Sequence, residues 1–456
     1  MGVARIAFQS DRRSFSNLVR LMRLEGRRNV AFRLVHFTPA LALLLALQSD
    51  GMVSFLWTDA VVLAQGPLLF IGPLIAGAAA WMGYRERRRG TEDLVASTSL
   101  PTTGRRLALL AATTFWGLIV YAAYAGYVLG RTALQATWGG PDLRPLAVGV
   151  VAIVAQAAGG FALGVFLPGR LTAPLVAIAA FGSQAVAANS MNWVSYLPPD
   201  RSPHTNLVPR LDVFHAPTFD PTWGQLLFYL GLALMALAAL TLPARWSAAS
   251  WAGVTLGVAL AVWGVVSVWG AVPRWSDEPW MPTLNGWGKV VPEERLAPYE
   301  PVCTDGAVRL CVHPAYRPLL PEAEVWFERM TAPLAGLPGV PGKVEAKTMI
   351  RGAGFGELGA YLGGASVAVE LVANRATLMQ GSVQNDAQAA VRDWLMMEAD
   401  FHWVCEGYER RLDYVVRNRC AAAHRLSRLP DSERQAWLEA NYARLRAGEL
   451  KLEDMP

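Results

Sequence analysis

Glu398 and His402 lie four residues apart, and His424 follows further along the chain. A zinc peptidase of the gluzincin type needs two histidines and a catalytic glutamate on one helix face, in the pattern His-Glu-x-x-His. That pattern does not occur in this sequence. We therefore interpret Glu398 and His402 as a structural pair, and we predict no catalytic residue in the chain.

Nucleotide and metal chemistry have equally little support. The run that contains Gly352, Gly354 and Gly356 is rich in glycine, but no clear strand and helix flank it, as a nucleotide-binding loop requires. The phosphate-binding pattern G-x-x-x-x-G-K-[ST] is absent, so the chain is not expected to hydrolyse ATP itself. His204 and His215 have no cysteine or carboxylate at ligand spacing, and we predict no metal site.

The most distinctive polar stretch is a charged island between two apolar runs, about 58–81 and 107–130, each long enough to cross a bilayer. Its composition predicts a short helix, loosened at its start by Gly90 and ended by Pro101. A short basic helix between two spans belongs at the cytoplasmic surface, where it can touch a soluble partner. The island residues that we single out are Glu86, Arg88, Gly90, Thr91, Glu92, Asp93, Leu94, Pro101 and Arg105.

The order of these residues resembles the intracellular loop of ABC-2-type transporter permeases. In that family the loop carries a coupling helix, which docks into a groove on a separate ATPase subunit. The resemblance implies that the 82–106 loop is the ATPase-coupling site, that the partner binds ATP and Mg²⁺, and that this chain carries no cofactor. In such a site the acidic Glu86, Glu92 and Asp93 would pair with basic groups of the partner. The alternative is an ordinary basic loop on the cytoplasmic side.

Composition independently predicts an integral membrane protein. Hydrophobic residues make up 53% of the 456 residues and charged residues only 17%, and several apolar runs are about 20 residues long. The formal net charge is +5, but in the first 270 residues the arginines lie mostly near span ends, so topology explains them and no nucleic-acid partner is predicted. The preference for arginine over lysine and the many alanines suggest a bacterial plasma membrane protein from a high-GC organism.

Seven spans are predicted, and arginine counts orient them. The N-terminus, the 82–106 loop, Arg170 and Arg245 hold most of the arginine and are predicted to be cytoplasmic. An odd number of spans then places residues 272–456 outside the cell. Residues 1–30 are predicted to form an interfacial elbow segment, although residues 1–12 could equally be a disordered basic tail. The predicted spans are 31–48, 58–81, 107–130, 145–167, 171–189, 224–242 and 248–271.

The six spans that are usual for an ABC-2 permease would end in the cytoplasm, so the seventh implies an appended exoplasmic domain. The 190–223 loop before the sixth span is rich in proline and aromatic residues. By resemblance it caps a pathway on the outer side, and a passive connector is the alternative. The membrane domain is predicted to comprise residues 31–271, and this loop is predicted to lie on its exoplasmic side.

All four cysteines lie in the predicted exoplasmic domain, which is where disulfides form. Two short strands about Asp305-Gly306 would bring the first pair together, which favours that bridge. The second pair could not bond within one continuous helix, because its Cα atoms would be about 22 Å apart, so we predict a helix break between them or else free thiols. The two pairs are Cys303 with Cys311 and Cys405 with Cys420.

The rest of this domain reads as α+β, with short strands and helices in mixed order. Strands are predicted at 343–349 and 365–372. Helices are predicted at 322–337, 386–403, 408–417 and 432–447. The fold class is therefore a helical membrane domain followed by a small α+β domain. Some ABC-2-like permeases carry peptidase-like exoplasmic domains, and this domain resembles them at most as an inactive relative.

Two functions follow from these patterns. The first is a permease subunit that works as a homo- or heterodimer with a second permease subunit and an ABC ATPase, and that exports a hydrophobic or amphipathic cargo. The second is an exoplasmic sensor or peptidase-like protein for which the spans are an anchor. The 82–106 loop discriminates between them, because an anchor does not need a capped helix with acidic and apolar faces in the cytoplasm.

Overall fold

The computed structural model describes part of the chain, in which five helices are long and apolar enough to cross a membrane. These helices indicate a membrane protein, and a C-terminal part with small sheets and shorter helices follows them. The predicted fold class is confirmed at this level. The described residues are 29, 31–32, 56–90, 102–190, 192–202, 215–217, 219–241, 248–272, 281–283, 286–288, 294–296, 299–346, 364, 367–373, 385–401, 404–406 and 413–456.

The first spanning segment is one apolar run of two helices, α1 (Trp57–Gln65) and α2 (Leu68–Gly83), separated by Gly66 and Pro67. The short α3 (Arg85–Arg89) follows. The other long helices are α4 (Thr102–Ala133), α5 (Arg144–Phe166), α7 (Thr222–Thr241) and α8 (Ala248–Ala271), and the shorter apolar helix between them is α6 (Thr172–Ala188).

Seven spans were predicted, and five helices of spanning length are present among the described residues. The fifth predicted span, 171–189, is the 17-residue α6, which is apolar but shorter than the others. The first predicted span, 31–48, lies outside the described residues except for residues 31 and 32.

Small residues allow α2 and α5 to pack with their backbones in contact. A Cβ atom added at Gly160 would lie 2.1 Å from the carbonyl oxygen of Ala76, and one at Gly164 would lie 2.1 Å from that of Ala80. The same approach occurs between α7 and α8, where a Cβ at Gly231 would lie 2.4 Å from the backbone nitrogen of Ala261. Close backbone approach at glycine is a common way for membrane helices to pack.

The connections gather at two ends of the helices. At one end, the amide of Gln65 donates to the carbonyl oxygens of Pro145 and Pro199, and Arg144 pairs with Asp220 at 2.9 Å. At the other end lie α3, the start of α4 and the turn at Pro168. Thus the arginine-poor segments from 131–143 and 190–223 meet at one end, and the arginine-rich 82–106 loop begins and ends at the other.

Three small sheets are formed by the described residues of the C-terminal part, one of them with a strand from the 190–223 loop. β1 (His215–Pro217) pairs with β4 (Glu294–Leu296), and β2 (Met281–Thr283) pairs with β3 (Gly286–Gly288), both antiparallel. In the third sheet β6 (Arg309–Val312) lies between antiparallel β5 (Val302–Cys303) and parallel β7 (Lys343–Ala346). Because β1 belongs to the 190–223 loop, this loop is joined to the C-terminal part by strand pairing.

Among the described residues of this part, four helices, the helical stretch 367–372 and the third sheet enclose a core in which Trp394 and Tyr442 are fully buried. The strand predicted at 365–372 is wrong, because residues 367–372 are helical. Val367, Ala368, Leu371 and Val372 are all buried there, and their spacing matches one face of a helix. The four helices are α9 (Leu320–Thr331), α10 (Asp386–Glu398), α11 (Tyr414–Arg428) and α12 (Asp431–Arg446).

The structure contains the favoured disulfide of Cys303 and Cys311, and of the two alternatives left for Cys405 and Cys420 it has the disulfide. Cys303 lies directly opposite Cys311 in the β5–β6 hairpin, with their Cα atoms 4.0 Å apart. Cys405 bonds Cys420 across the break between α10 and α11, with their Cα atoms 5.4 Å apart. The helix predicted at 408–417 begins at Tyr414 and continues to Arg428.

Candidate functional site

The charged island begins with α3, a helix of five residues that directly follows α2. Gly90 closes it in the left-handed conformation, with φ at 60°, and donates its N–H to the carbonyl oxygen of Arg87. Glycine adopts this conformation without a steric penalty, which makes it a frequent helix terminator. Gly90 was predicted to loosen the start of a short helix that Pro101 ends. In the structure α3 ends at Gly90, and residues 91–101 lie outside the described residues.

A bidentate ion pair fastens α3 to the start of α4. The Nε and Nη2 atoms of Arg105 donate to the two carboxylate oxygens of Glu86, at 2.7 and 2.9 Å. The side chains are only 13% and 25% exposed, so water screens this pair less than a surface pair. Glu86 was expected to face a basic group on a partner, and the structure pairs it within the chain.

This pair gives a first testable prediction. We expect Glu86→Gln and Arg105→Gln each to lower the free energy of unfolding by about 1 kcal/mol, and the double substitution to cost little more than either one. Chemical unfolding of the purified protein in detergent measures the three values. Asp142 and Arg144 form a more exposed pair at the other end, and the same cycle there should show weaker coupling. Fully additive costs at Glu86 and Arg105 would contradict a direct interaction.

Arg88 turns back towards the membrane. Its guanidinium lies over the ring of Trp81, 3.8 Å from the ring centroid, and a contact of this kind stabilises by about 0.5–1 kcal/mol where it is exposed. Burial, together with the neighbouring charge of Arg89, lowers the pKa of Arg88, which stays protonated at neutral pH. The island helix is thus held on both sides, by Glu86 to α4 and by Arg88 to α2.

A cavity of about 140 Å³ lies beneath this helix, at the C-terminal ends of α2 and α5. On its wall Arg106 donates to the carbonyl oxygen of Leu240, at the C-terminal end of α7, over 3.5 Å. A cation is favourable here because helix C-termini carry partial negative charge. The residues that line the cavity are Met82, Gly83, Tyr84, Glu86, Arg87, Arg106, Leu109, Phe161, Gly164, Val165 and Pro168.

The structure therefore brings together four of the predicted coupling residues: Glu86, Arg88, Gly90 and Arg105. The other five, Thr91, Glu92, Asp93, Leu94 and Pro101, lie outside the described residues. Sequence reasoning passed over Trp81 and gave Arg106 no role. Trp81 precedes Arg88 by seven residues, two helical turns, and that spacing was the available signal.

At the opposite end, side chains from the spans hold the turn at 196–201. The amide of Gln225 donates to the carbonyl oxygens of Tyr196, Pro198 and Arg201, and the hydroxyl of Tyr229 donates to that of Leu197. Burial raises the pKa of Asp200 in the same turn, against the opposing charge of Arg201. This part of the 190–223 loop is thus a tightly bonded cap on the helices, and the spacing of its residues gave no sign of it.

The candidate catalytic and metal groups have structural roles where they are described. Glu398 accepts a hydrogen bond from the indole of Trp394, and His402 lies outside the described residues. Asp393, Cys405 and Cys420 place potential ligand atoms within 4.8 Å of one another. The two thiols are bonded to each other, however, and the carboxylate is taken by Arg392 and Arg419.

No family model, no curated protein and no solved structure matches this chain. Function is therefore inferred from the geometry and chemistry of the described residues. The short helix α3 is exposed and charged, and it contacts α2 through Arg88 and α4 through Glu86. Because α4 in turn bonds to α7 through Arg106, α3 is linked to three spanning helices.

Proposed function

We propose that the chain is the permease subunit of an ATP-driven transporter of the ABC-2 type. A separate ATPase subunit docks at the 82–106 loop and supplies the ATP hydrolysis that this chain does not perform. The observation that carries the proposal is the bidentate pair of Glu86 and Arg105, because it ties the short α3 helix to the start of a spanning helix.

The contacts around α3 give a route for a displacement. A partner that moves α3 pulls on α4 through Arg105, and α4 pulls on the end of α7 through Arg106 and Leu240. Arg88 carries the same displacement to Trp81 near the end of α2. Three spanning helices therefore respond to one docking event. Arg89 is exposed on α3 and is available to acidic groups of a partner.

The cargo in this proposal is hydrophobic or amphipathic. The spanning stretches 60–83, 107–130, 145–166, 172–188, 222–241 and 248–271 contain no Asp, Glu, Lys or Arg. A fixed site for a small ion normally needs such a residue within the membrane. The proposal further places α3 in the cytoplasm, the C-terminal part outside the cell, and a second permease subunit beside this one in the bacterial plasma membrane.

Copurification tests this function. The full chain is expressed with its genomic neighbours, purified in mild detergent, and examined for a stoichiometric ATPase. We expect Glu92→Arg combined with Leu94→Asp to reduce the recovered ATPase at least tenfold. The first substitution replaces an acidic group by a basic one that repels basic groups of the partner, and the second places a charge where an apolar contact is proposed. Membrane insertion and yield should not change.

The matched control is Glu439→Arg combined with Ala440→Asp, which makes the same types of change on the exposed face of α12. This control should retain the ATPase fully. If an ATPase copurifies equally with both variants, the proposed docking site is not in the 82–106 loop. The absence of any ATPase, with another protein bound to the C-terminal part, would favour an exoplasmic sensor or peptidase-like protein instead.

A further inference from the structure

The membrane helices touch the C-terminal part through an aromatic contact. We define the outer loop as residues 134–143, between α4 and α5, and the His313 turn as residues 313–319. The ring of Trp138 lies perpendicular to the imidazole of His313, with centroids 4.7 Å apart, and Tyr299 packs on the same imidazole at 4.3 Å. Beside them the hydroxyl of Thr137 donates to the carbonyl oxygen of Ala315 over 3.4 Å.

His313 holds the turn in place through one nitrogen. Its Nδ1 atom accepts the N–H of Ala315 at 3.0 Å and so caps the helical turn Pro314–Leu319, while its side chain is almost wholly buried. The neutral imidazole therefore carries its proton on Nε2, and a second proton must go to Nδ1. That proton removes the acceptor and leaves a charge among aromatic rings, which is costly in a buried site.

We propose that His313 is a proton-operated latch, which holds the outer loop against the C-terminal part when it is neutral and releases the loop when it is protonated. The strand pairing of β1 with β4 is a separate connection, so release concerns the outer loop and not the whole C-terminal part. The proposal does not depend on the transport function, because it concerns only a contact within the chain.

Among the described residues, no acidic side chain contacts the imidazole of His313 to balance its charged form. The groups that face the imidazole are the rings of Trp138, Tyr299 and Tyr316. The charged residues next to these two tyrosines in the sequence are Glu300 and Arg317, both exposed, and Asp142 of the outer loop pairs with Arg144. Burial alone lowers the pKa of His313, to about 4.

The sign of the pH effect follows from this lowered pKa. Above pH about 6.5, the ordinary value, His313 is neutral in both the latched and the released states, so the latch is fully stable. As the pH falls from 6.5 towards 4, His313 takes up a proton in the released state before it does so in the latched state. The equilibrium therefore shifts from the latched towards the released state. At pH 5 the latching equilibrium falls by up to about 30-fold relative to pH 8.

Hydrogen–deuterium exchange of the full chain in lipid nanodiscs tests this latch. Peptides that cover 134–143 and 313–319 are compared at pH 8 and pH 5, after correction for intrinsic exchange rates. We expect their protection to fall at pH 5 by up to about 30-fold, while peptides of α11 remain protected and report a folded C-terminal part. Protection that is unchanged at pH 5 would overturn the proposal.

Two variants and a control make the test specific. His313→Asn keeps an acceptor for the N–H of Ala315 but cannot titrate, so its protection should not depend on pH. Trp138→Ala should lower protection at both pH values. His424→Asn, on α11, should behave as the unchanged protein does. A pH response that persists in His313→Asn, or in His313→Gln if the asparagine variant does not fold, would overturn the latch, as would full protection in Trp138→Ala.

Discussion

Replacing Gly160 by alanine is expected to destabilise the protein by about 2–3 kcal/mol, whereas the same change at Gly159 should be neutral or stabilising. The added Cβ at Gly160 would lie 2.1 Å from the carbonyl oxygen of Ala76, a backbone atom that cannot rotate away. At Gly159 the added atom meets nothing within 4 Å, so the higher helix propensity of alanine remains as the main effect.

Thermal unfolding in one detergent, followed by intrinsic fluorescence, measures this difference. Gly164→Ala serves as a second test, because its Cβ would meet the carbonyl oxygen of Ala80 at the same distance, 2.1 Å. Both of these variants should melt well below the unchanged protein, and Gly159→Ala should not. Equal melting temperatures for Gly159→Ala and Gly160→Ala would show that α2 and α5 are not in backbone contact.

The second large effect is expected at Asp393 in the C-terminal part. Its carboxylate is fully buried and accepts hydrogen bonds from Arg392, at 2.6 and 2.9 Å, and from Arg419, at 2.6 Å. Asp393→Ala leaves two guanidinium groups without their shared anion, and removing one member of a buried ion pair costs about 3–5 kcal/mol. We expect this part of the chain to unfold at much lower denaturant concentration.

Asp386 provides the matched control, because it is an exposed aspartate in the first turn of the same helix, α10. Asp386→Ala should cost about 1 kcal/mol or less, through the helix dipole alone. Denaturant unfolding without reductant, monitored by near-UV circular dichroism, keeps the disulfides intact in both variants. If the two variants unfold at the same denaturant concentration, Asp393 does not hold α10 to α11.

Local signals in the sequence predicted local structure well. Asp305-Gly306 between two short strands predicted the hairpin that pairs Cys303 with Cys311. Helical reach left either a break between Cys405 and Cys420 or free thiols, and the structure has the break. Long apolar runs predicted the spanning helices, because a bilayer demands a minimum length of apolar residues. In each case the residues that determine the feature are close neighbours in the chain or belong to one continuous run.

Features that depend on distant residues were not predicted. Glu86 was assigned to a partner because nothing in the sequence indicates that Arg105 returns to it from across 19 residues. Residues 367–372 are mostly apolar and rich in valine, which suits either a strand or one face of a helix, and only their packing against the helices of the C-terminal part distinguishes the two. The three carbonyl oxygens that Gln225 binds likewise depend on the path of a loop, which composition does not specify.

The glycine contact between α7 and α8 bears on where the two ends of this helix pair lie. Among the described elements, α8 packs on α7 and on the turn at 193–196, and Gly231 and Gly257 bring the two backbones together. Two consecutive helices that pack as such a hairpin bring the residues before the first helix and those after the second helix to one end. The pairing of β1, which precedes α7, with β4, which follows α8, agrees with this arrangement and gives the C-terminal part a second tie to the spanning helices.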